Sequence, residues 1–253
     1  HLSRKTSAAA LIPEIDAFRF FAIFTVLLYD LNTHFTRTIS PIAGKAYFSD
    51  SWLFKVVSEG SVGVDVFFGI SGFILALPFA RERLFGAQHV ALRNYYVRRL
   101  TRLEPPYVIS LILFLFVHVL ILHKNFGDVL PNFIASLFYV HNIVFDKWSE
   151  INPVTWSLEV EVQFYVLAPL MATVFSIRKA FVRRAVLITV IMLSIINYNV
   201  NYDLISEYHL RKSLLMHLHQ FLIGFLFADF FLTDWKLWLK EKSYYFDLIG
   251  IAA

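Results

Sequence analysis

The chain has 253 residues, of which 58% are hydrophobic and only 17% are charged; its net charge is +4 and its mean hydropathy is +0.60. Charged side chains are too few to cover a water-soluble protein of this length, and the absence of cysteine excludes disulfides and cysteine-based catalytic or metal sites. The composition therefore predicts an all-α polytopic bundle of transmembrane helices, forming a single membrane-embedded domain over residues 1–253.

The first predicted span covers about residues 17–33 and follows a basic segment, so the N-terminus is expected in the cytoplasm. Arg19 and Asp30 interrupt its apolar run. In a helix these two residues share one face, about three turns and roughly 16 Å apart. Ionisable side chains inside a membrane span are costly unless they are paired or hydrated, so both are candidate functional residues. The alternative is a structural ion pair with a neighbouring helix.

The second predicted span covers about residues 63–80, with Asp65 at its start and the small residues Gly69, Ser71 and Gly72 in its middle. Small residues let helices approach closely, so this span is expected inside the bundle. The next segment is rich in arginine and is predicted to be a cytoplasmic loop; it contains Arg81, Arg83, Arg93, Arg98, Arg99 and Arg102.

The third predicted span covers Tyr107 to Leu122, with Pro105 and Pro106 at the turn into it, because proline is tolerated at the start of a helix. Residues 127–145 are apolar only in patches and contain polar residues such as His141. Each half of this segment is too short to cross a bilayer, which predicts an interfacial or re-entrant piece.

The fourth, fifth and sixth predicted spans cover about residues 155–177, 185–198 and 214–232. Glu159 and Glu161 lie in the outer third of the fourth span. A seventh apolar segment begins near Tyr244 and runs to the last residue. We therefore expect about six complete spans and a truncated seventh, with further C-terminal spans missing from this sequence.

Several common functional classes lack support in the sequence. The basic residues cluster in short loops between apolar spans, a topogenic pattern that predicts no nucleic-acid partner. His217 and His219 do not share a helical face at metal-ligand spacing, so they are interpreted as hydrogen-bonding residues within the bundle, and no metal site is predicted. No HExxH, Walker A, GxSxG or GxGxxG motif occurs.

Two polar pairs remain open to more than one interpretation. Arg99 and Arg102 are three residues apart, so on a helix they would point the same way and could clamp the phosphates of a cytosolic donor. The simpler alternative is a topology anchor. His34 follows Asp30 by one helical turn, and this couple could form a proton relay or an interfacial pair at the helix end.

Four segments resemble the motifs of the acyltransferase-3 family of integral membrane O-acyltransferases, the O-antigen acetylase and macrolide acylase type. IPEIDAFRFFAIFTVLLYD resembles the family's IPxLDGLR opening with its Arg-x10-His motif, and GVDVFFGISGF resembles the second-span motif. RRLTRLEPPY resembles the Arg-x-x-Arg loop followed by proline, and WSLEVEVQFYVLAPL resembles WSLxVExQFY. The four occur in the family order over most of residues 12–170.

This resemblance implies a membrane enzyme that moves an acyl group, typically acetyl, from cytosolic acyl-CoA to a hydroxyl of a carbohydrate or lipid-linked acceptor. Arg19 matches the arginine of the first motif, and Arg99 with Arg102 match the pair expected to hold the donor. Asp65 and Glu161 match the acidic residues of the second and fourth motifs. The expected location is the bacterial inner membrane, among membrane lipids.

Asp30 departs from the family pattern, because it occupies the position of the histidine expected to activate the acceptor hydroxyl or to carry the acyl group. A carboxylate among apolar residues can still take up a proton, so general-base catalysis stays open, whereas acyl transfer through an imidazole is lost. The chain either uses Asp30 together with His34, or is catalytically impaired, or was altered at this position.

Two alternatives to an active enzyme follow from the same residues. In a transporter or proton-coupled permease, Arg19, Asp30, Asp65 and Glu161 would line an ion path, and the cytosolic arginine pair would not be needed. A catalytically silent relative would bind the donor or the acceptor without consuming it.

Overall fold

The computed structural model describes residues 13–43, 52–145, 147, 149–201 and 211–235. These ranges contain helices and no β-strand, which confirms the predicted all-α polytopic helix bundle. The chain divides into two compact units, residues 1–71 and 72–253, and the boundary falls inside one helix. The single domain over residues 1–253 stays a prediction.

The first unit contains α1 (Pro13–Ala43), α2 (Trp52–Ser58) and the start of α3 (Val62–Phe85). α1 contains the predicted first span and extends ten residues beyond its predicted end at residue 33. Asn32 on α1 donates a hydrogen bond to the hydroxyl of Ser58 at the end of α2, over 3.3 Å. This bond holds the short α2 against the middle of α1.

Glycine allows the start of α3 to pack closely on α1. A Cβ atom placed on Gly63 would lie 2.6 Å from the carbonyl oxygen of Ala22 and would also overlap the Thr25 hydroxyl. Only glycine fits there without a shift of backbone, because real Cβ atoms do not approach other atoms so closely. The two helices are therefore in direct backbone contact.

The second unit contains the rest of α3 and six further described helices: α4 (Leu92–Phe116), α5 (Phe126–Leu137), α6 (His141–Val144), α7 (Trp156–Met171), α8 (Ala180–Asn201) and α9 (Leu214–Phe230). A 3₁₀ turn leads into α7 at Pro153–Thr155, and another extends it through Ala172–Ser176. Short π-helical turns follow α4 at Val117–Ile121 and α9 at Phe231–Trp235.

Aromatic rings fill the core between α7 and α9. Phe164 stacks on Phe221 with ring centroids 4.1 Å apart, and Phe225 contacts both Phe164 and Phe175. These four side chains are at most 1% exposed. Close packing of this kind is what associates helices in lipid, where neighbouring acyl chains are as apolar as the side chains themselves.

The end of α5 lies beside the middle of α4. The Tyr107 hydroxyl donates to the Ser136 carbonyl over 2.8 Å, and the Tyr107 ring stacks on Tyr139 at 4.8 Å. α4 and the π-helical turn after it end together at Ile121. Tyr107 lies fourteen residues before that end, which is about 21 Å along the helix. The hairpin formed by α5 and α6, residues 126–144, thus folds back along α4 by more than half the thickness of a bilayer core.

The prediction that Pro105 and Pro106 lie at the turn into the third span is wrong. α4 begins at Leu92 and passes through both prolines, so the predicted arginine-rich loop shrinks to residues 86–91. The prolines remove two helical hydrogen bonds, but tertiary packing keeps the helix continuous: the Tyr95 hydroxyl, for example, donates to the Tyr165 carbonyl of α7 over 3.1 Å.

Five described helical stretches are long and apolar enough to cross a membrane: Val62–Phe85, Leu92–Ile121, Trp156–Ser176, Ala180–Asn201 and Leu214–Trp235. They correspond to the second through sixth predicted spans. α1 is not in this set, and its Arg19 and Asp30 lower its hydropathy. The predicted seventh span lies outside the described residues.

Apolar side chains cover the outside of these helices. Ile109, Leu113 and Phe116 on α4 are more than half exposed, as are Phe181 and Leu193 on α8. An outer surface of this kind is stable against lipid tails and unfavourable in water. The chain is therefore an integral membrane protein.

Gly72→Ala tests the close approach of α3 to α9. A Cβ on Gly72 would lie 2.8 Å from the Phe221 carbonyl carbon and closer still to its oxygen, so the helices must separate. We expect a loss of about 1–3 kcal/mol, larger than the helix-propensity gain of about 1 kcal/mol, measured as a lower Tm in detergent. In the control Gly127→Ala, the new Cβ meets nothing closer than 3.6 Å. Equal Tm values for the two variants would contradict this packing.

Candidate functional site

The fourth predicted motif, WSLEVEVQFY, forms the first part of α7 and presents two polar faces. Glu159 and Gln163 are four residues apart and share one face, while Glu161 and Tyr165 share another. Positions two residues apart differ by about 200° around a helix, so the two faces point in opposite directions. Both glutamates are only 1% exposed, which makes each carboxylate dependent on protein partners.

The first face holds the α5–α6 hairpin. Glu159 Oε2 accepts a hydrogen bond from the backbone amide of Asn142 over 2.8 Å. Gln163 Nε2 donates to the Asn142 side-chain oxygen at 3.0 Å and to the Tyr139 carbonyl at 3.3 Å. The Asn142 amide group also donates to the Lys212 carbonyl at 2.9 Å. Glu159 and Gln163 therefore fix the tip of the hairpin, a structural role that the sequence analysis did not assign.

The second face meets the arginine-bearing part of α4. The Tyr165 hydroxyl donates to Glu161 Oε1 over 2.6 Å. The Arg99 guanidinium lies over the Tyr165 ring, with its Cζ 5.9 Å from the ring centroid. A cation is attracted to the face of an aromatic ring, so Tyr165 connects Arg99 to the buried Glu161 carboxylate. Two predicted site residues from distant parts of the sequence thus meet through a tyrosine that was not predicted.

Arg99 and Arg102 both lie on α4, three residues apart, as the helical interpretation requires. Arg99 is half-buried and Arg102 is exposed. The pair therefore combines a guanidinium fixed against α7 with one that projects outward. Two guanidiniums on neighbouring positions can bind phosphate oxygens through several hydrogen bonds, so these side chains fit the phosphates of a nucleotide-bearing donor.

The remaining predicted site residues, Arg19, Asp30 and Asp65, belong to the first unit. Arg19 is half-buried and lies over the ring of Phe67 on α3, with Cζ 5.4 Å from the centroid. The predicted first and second spans therefore meet at Arg19. Asp30 is half-buried, and Asp65 is exposed in the first turn of α3, where the helix dipole stabilises a carboxylate. The side chain of His34 lies outside the described residues.

His141 is a buried residue that the sequence analysis noted only as polar. Its Nε2 lies 2.9 Å from the side-chain oxygen of Asn132, whose amide nitrogen donates to the Asp128 carbonyl. Burial lowers the pKa of His141, and the positive Lys147 lowers it further. The ring is therefore neutral near pH 7, and its Nε2–H donates to Asn132. This hydrogen bond accounts for its position.

His217 is buried, as its interpretation as an internal residue requires, and packs 5.3 Å from the Trp156 ring. The Lys212 ammonium lies 3.8 Å from the centroid of the same ring. In the described part of the chain, no group of three or more His, Asp or Glu residues could hold a metal ion.

A family model for the acyltransferase domain, Acyl_transf_3, matches residues 12–244. This chain belongs to the acyltransferase-3 family. The match covers α1 to α9 completely, and it contains all six predicted site residues. The resemblance found in the four motifs is thereby confirmed.

Two relatives of this acyltransferase-3 chain illustrate the similarity. It is 30% identical over 178 residues to the peptidoglycan O-acetyltransferase OatA of Listeria monocytogenes, covering 65% of this chain and 24% of that protein. It is 28% identical over 195 residues to the O-acetyltransferase OatA of Staphylococcus aureus, covering 74% of this chain and 28% of that protein. The chain thus spans about a quarter of the length of these relatives. No solved structure matches it.

The acyltransferase-3 chain also contains a buried ion cluster that the sequence analysis missed. Arg183 Nε donates to Asp229 Oδ1 over 2.6 Å, and Arg184 Nε donates to Asp229 Oδ2 over 2.8 Å. Arg183 and Asp229 are at most 1% exposed. The basic residues that follow the fourth span, Arg183 and Arg184 among them, were interpreted only as a signal of membrane topology. The overlooked indication was Asp229, an acidic residue in the apolar run of the sixth span.

Arg183→Met tests the cluster in this acyltransferase-3 chain. It leaves the buried Asp229 with one cationic partner, so we expect the folded state to lose about 3 kcal/mol, seen as a lower Tm in detergent. In the control Lys179→Met, the lost charge is exposed at the start of the same helix, and Tm should change little. If both variants unfold at the wild-type temperature, the cluster does not stabilise α8 against α9.

Proposed function

We propose that this chain is the membrane part of an O-acyltransferase that transfers an acetyl group from cytosolic acetyl-CoA to a hydroxyl of a carbohydrate or lipid-linked acceptor. Family membership over residues 12–244 supports the class of enzyme. The names of the two relatives favour acetyl as the group and a cell-wall glycan as the acceptor. We also infer that the protein resides in the bacterial plasma membrane with a cytoplasmic N-terminus.

The observation that carries this proposal is the connection from Arg99 through Tyr165 to Glu161. A fully buried carboxylic acid in an apolar helix is costly, and here it is coupled to a guanidinium on a neighbouring helix. Such an arrangement suits a site in which a phosphate-bearing donor approaches Arg99 while the buried Glu161 carboxyl holds Tyr165, and through it the guanidinium, in position.

Arg99 and Arg102 would hold the phosphates of the donor. Arg99 is anchored on Tyr165, and Arg102 is exposed three residues later on the same side of α4, so the two guanidiniums fit phosphate oxygens. Arg19, held over Phe67, is a further candidate for binding a negatively charged part of the donor. Asp65 stays a candidate acidic residue of the second motif.

Asp30 would act as the general base on the acceptor hydroxyl. The hydroxyl oxygen forms an ester bond to the acetyl carbon, the thioester carbon–sulfur bond breaks, and the hydroxyl proton passes through the Asp30 carboxylate to the departing sulfur. Asp30 belongs to the first compact unit and the arginine pair to the second, so their roles rest on separate observations and are tested separately.

The alternatives make different predictions. A proton-coupled permease would move a substrate without chemical change and would tolerate loss of Arg99 and Arg102. A catalytically silent relative would bind acetyl-CoA without consuming it. Turnover of acetyl-CoA in membranes, combined with mass analysis of the acceptor glycans, distinguishes the three functions.

The two buried glutamates of α7 provide a matched test of the role of Glu161. Glu161→Gln removes the carboxyl coupled to Arg99 through Tyr165 and should reduce acetyl transfer by roughly 100-fold, because small misplacements of a positioning group cost about that much, with little change in Tm. Glu159→Gln keeps an oxygen that can accept the Asn142 amide bond, so turnover should change little, and any loss should appear in Tm. Acetyl-CoA turnover and Tm are measured for both variants. A larger loss of turnover in Glu159→Gln than in Glu161→Gln would contradict the assignment of the two faces.

Asp30→His tests the base. It restores the residue that the family motif has at this position, and we expect higher acetyl-CoA turnover in membranes than with the wild-type sequence. Asp30→Asn, which cannot accept a proton, should reduce turnover by roughly 100-fold. The matched control is Leu31→His, which adds an imidazole to the adjacent, exposed position and should give no gain. No gain for Asp30→His would count against the role of position 30.

A further inference from the structure

Tyr139, at the tip of the α5–α6 hairpin, has a strained backbone. Its φ angle is 58°, in the left-handed region that costs free energy for any residue with a side chain. The conformation terminates α5: the Tyr139 amide donates to the Ser136 carbonyl over 2.9 Å, and the Val140 amide donates to the Ala135 carbonyl over 3.0 Å. Gln163, which donates to the Tyr139 carbonyl, holds the residue in place from α7.

The hydroxyl of Tyr139 is buried without a hydrogen-bond partner in the described structure. The side chain is 8% exposed, and its ring stacks on Tyr107. The Tyr107 hydroxyl, in contrast, is satisfied by the Ser136 carbonyl. Burying a hydroxyl without a partner costs free energy, and a native protein keeps such a group where water or a ligand supplies the missing acceptor.

Tyr139 lies close to the arginine-bearing end of the candidate site. Its ring stacks on Tyr107 of α4, the helix that also carries Arg99 and Arg102. Along α4, Arg99 and Tyr107 are eight residues apart, which is about 12 Å of helix. A ligand whose phosphates bind Arg99 therefore needs only a short extended arm to reach Tyr139.

Burial and the nearby Glu104 bear on which ligand groups the Tyr139 hydroxyl can bind. Burial raises the pKa of Tyr139 to about 12, and the Glu104 carboxylate raises it as well. The hydroxyl is therefore a neutral hydrogen-bond donor at physiological pH. The hydroxyl can donate to an oxygen acceptor, and an amide carbonyl is one that adds no negative charge beside Glu104.

We propose that the Tyr139 hydroxyl donates a hydrogen bond to an amide carbonyl in the pantetheine arm of the acyl-CoA donor. This inference rests on the proposed function, in which Arg99 and Arg102 hold the donor phosphates. The arm carries neutral amides at the distance that Tyr139 requires. Because the Tyr139 hydroxyl oxygen is enclosed, the pantetheine arm must displace the side chains that cover it. The hydrogen bond that the hydroxyl then gains favours this displacement.

Binding by the full-length protein in detergent tests this inference with two probes. Acetyl-CoA contains the arm, whereas adenosine 3′,5′-bisphosphate presents the nucleotide phosphates without it. Tyr139→Phe should weaken acetyl-CoA binding roughly two- to tenfold and leave bisphosphate binding unchanged. In the matched control Tyr107→Phe, the lost hydroxyl was already paired, so both affinities should stay unchanged even if Tm falls. Arg99→Gln should weaken both probes.

The other outcomes separate failure of this inference from failure of the proposed function. If Tyr139→Phe binds acetyl-CoA as tightly as the wild type does, the hydroxyl meets only water or the acceptor, and the inference is overturned while the proposed function stands. Equal weakening of both probes also overturns it, because the effect is then structural. If the wild-type protein binds neither probe, the proposed donor is wrong and this inference falls with it.

Discussion

The bond from Glu159 to the Asn142 amide is the constraint on which the second unit depends. The α5–α6 hairpin folds back along α4, and the backbone groups of its non-helical tip need hydrogen-bond partners within the protein. α7 supplies the missing partners from one face, through Glu159 and Gln163. That leaves the opposite face, with Glu161 and Tyr165, available for α4. One short motif therefore both builds the scaffold and presents the candidate chemical groups.

Helical periodicity and hydropathy predict most of this architecture, because each long apolar run is a local property of the sequence. The second, fourth, fifth and sixth spans correspond to helices in the structure. The error at Pro105 and Pro106 has a tertiary cause. Proline disfavours a helix interior locally, but Tyr95 and Tyr107 anchor α4 on both sides of the prolines, to α7 and α5. Contacts of that kind cannot be read from local preferences.

The candidate site is only partly predictable for the same reason. Arg99 and Glu161 are each recognisable from motif and chemistry, but their connection requires Tyr165 and a packing of α4 on α7 that joins residues 66 positions apart. The basic residues after the fourth span show the converse problem. Positive charge indicates topology, yet only the fold distinguishes the buried Arg183, paired with Asp229, from exposed Lys179.

The two prolines of α4 have a mechanical consequence. Without amide hydrogens at positions 105 and 106, the carbonyl oxygens of Thr101 and Arg102 lose the donors that an uninterrupted helix would provide. This is the most compliant point along α4, since bending there breaks no further backbone bond. The segment before it carries Arg99 and Arg102, whereas the segment after it is fastened to the hairpin by Tyr107. A pivot at this joint would move both guanidiniums together, and it requires the Tyr95 bond and the Arg99 contact with Tyr165 to break while the Tyr107 anchor stays in place.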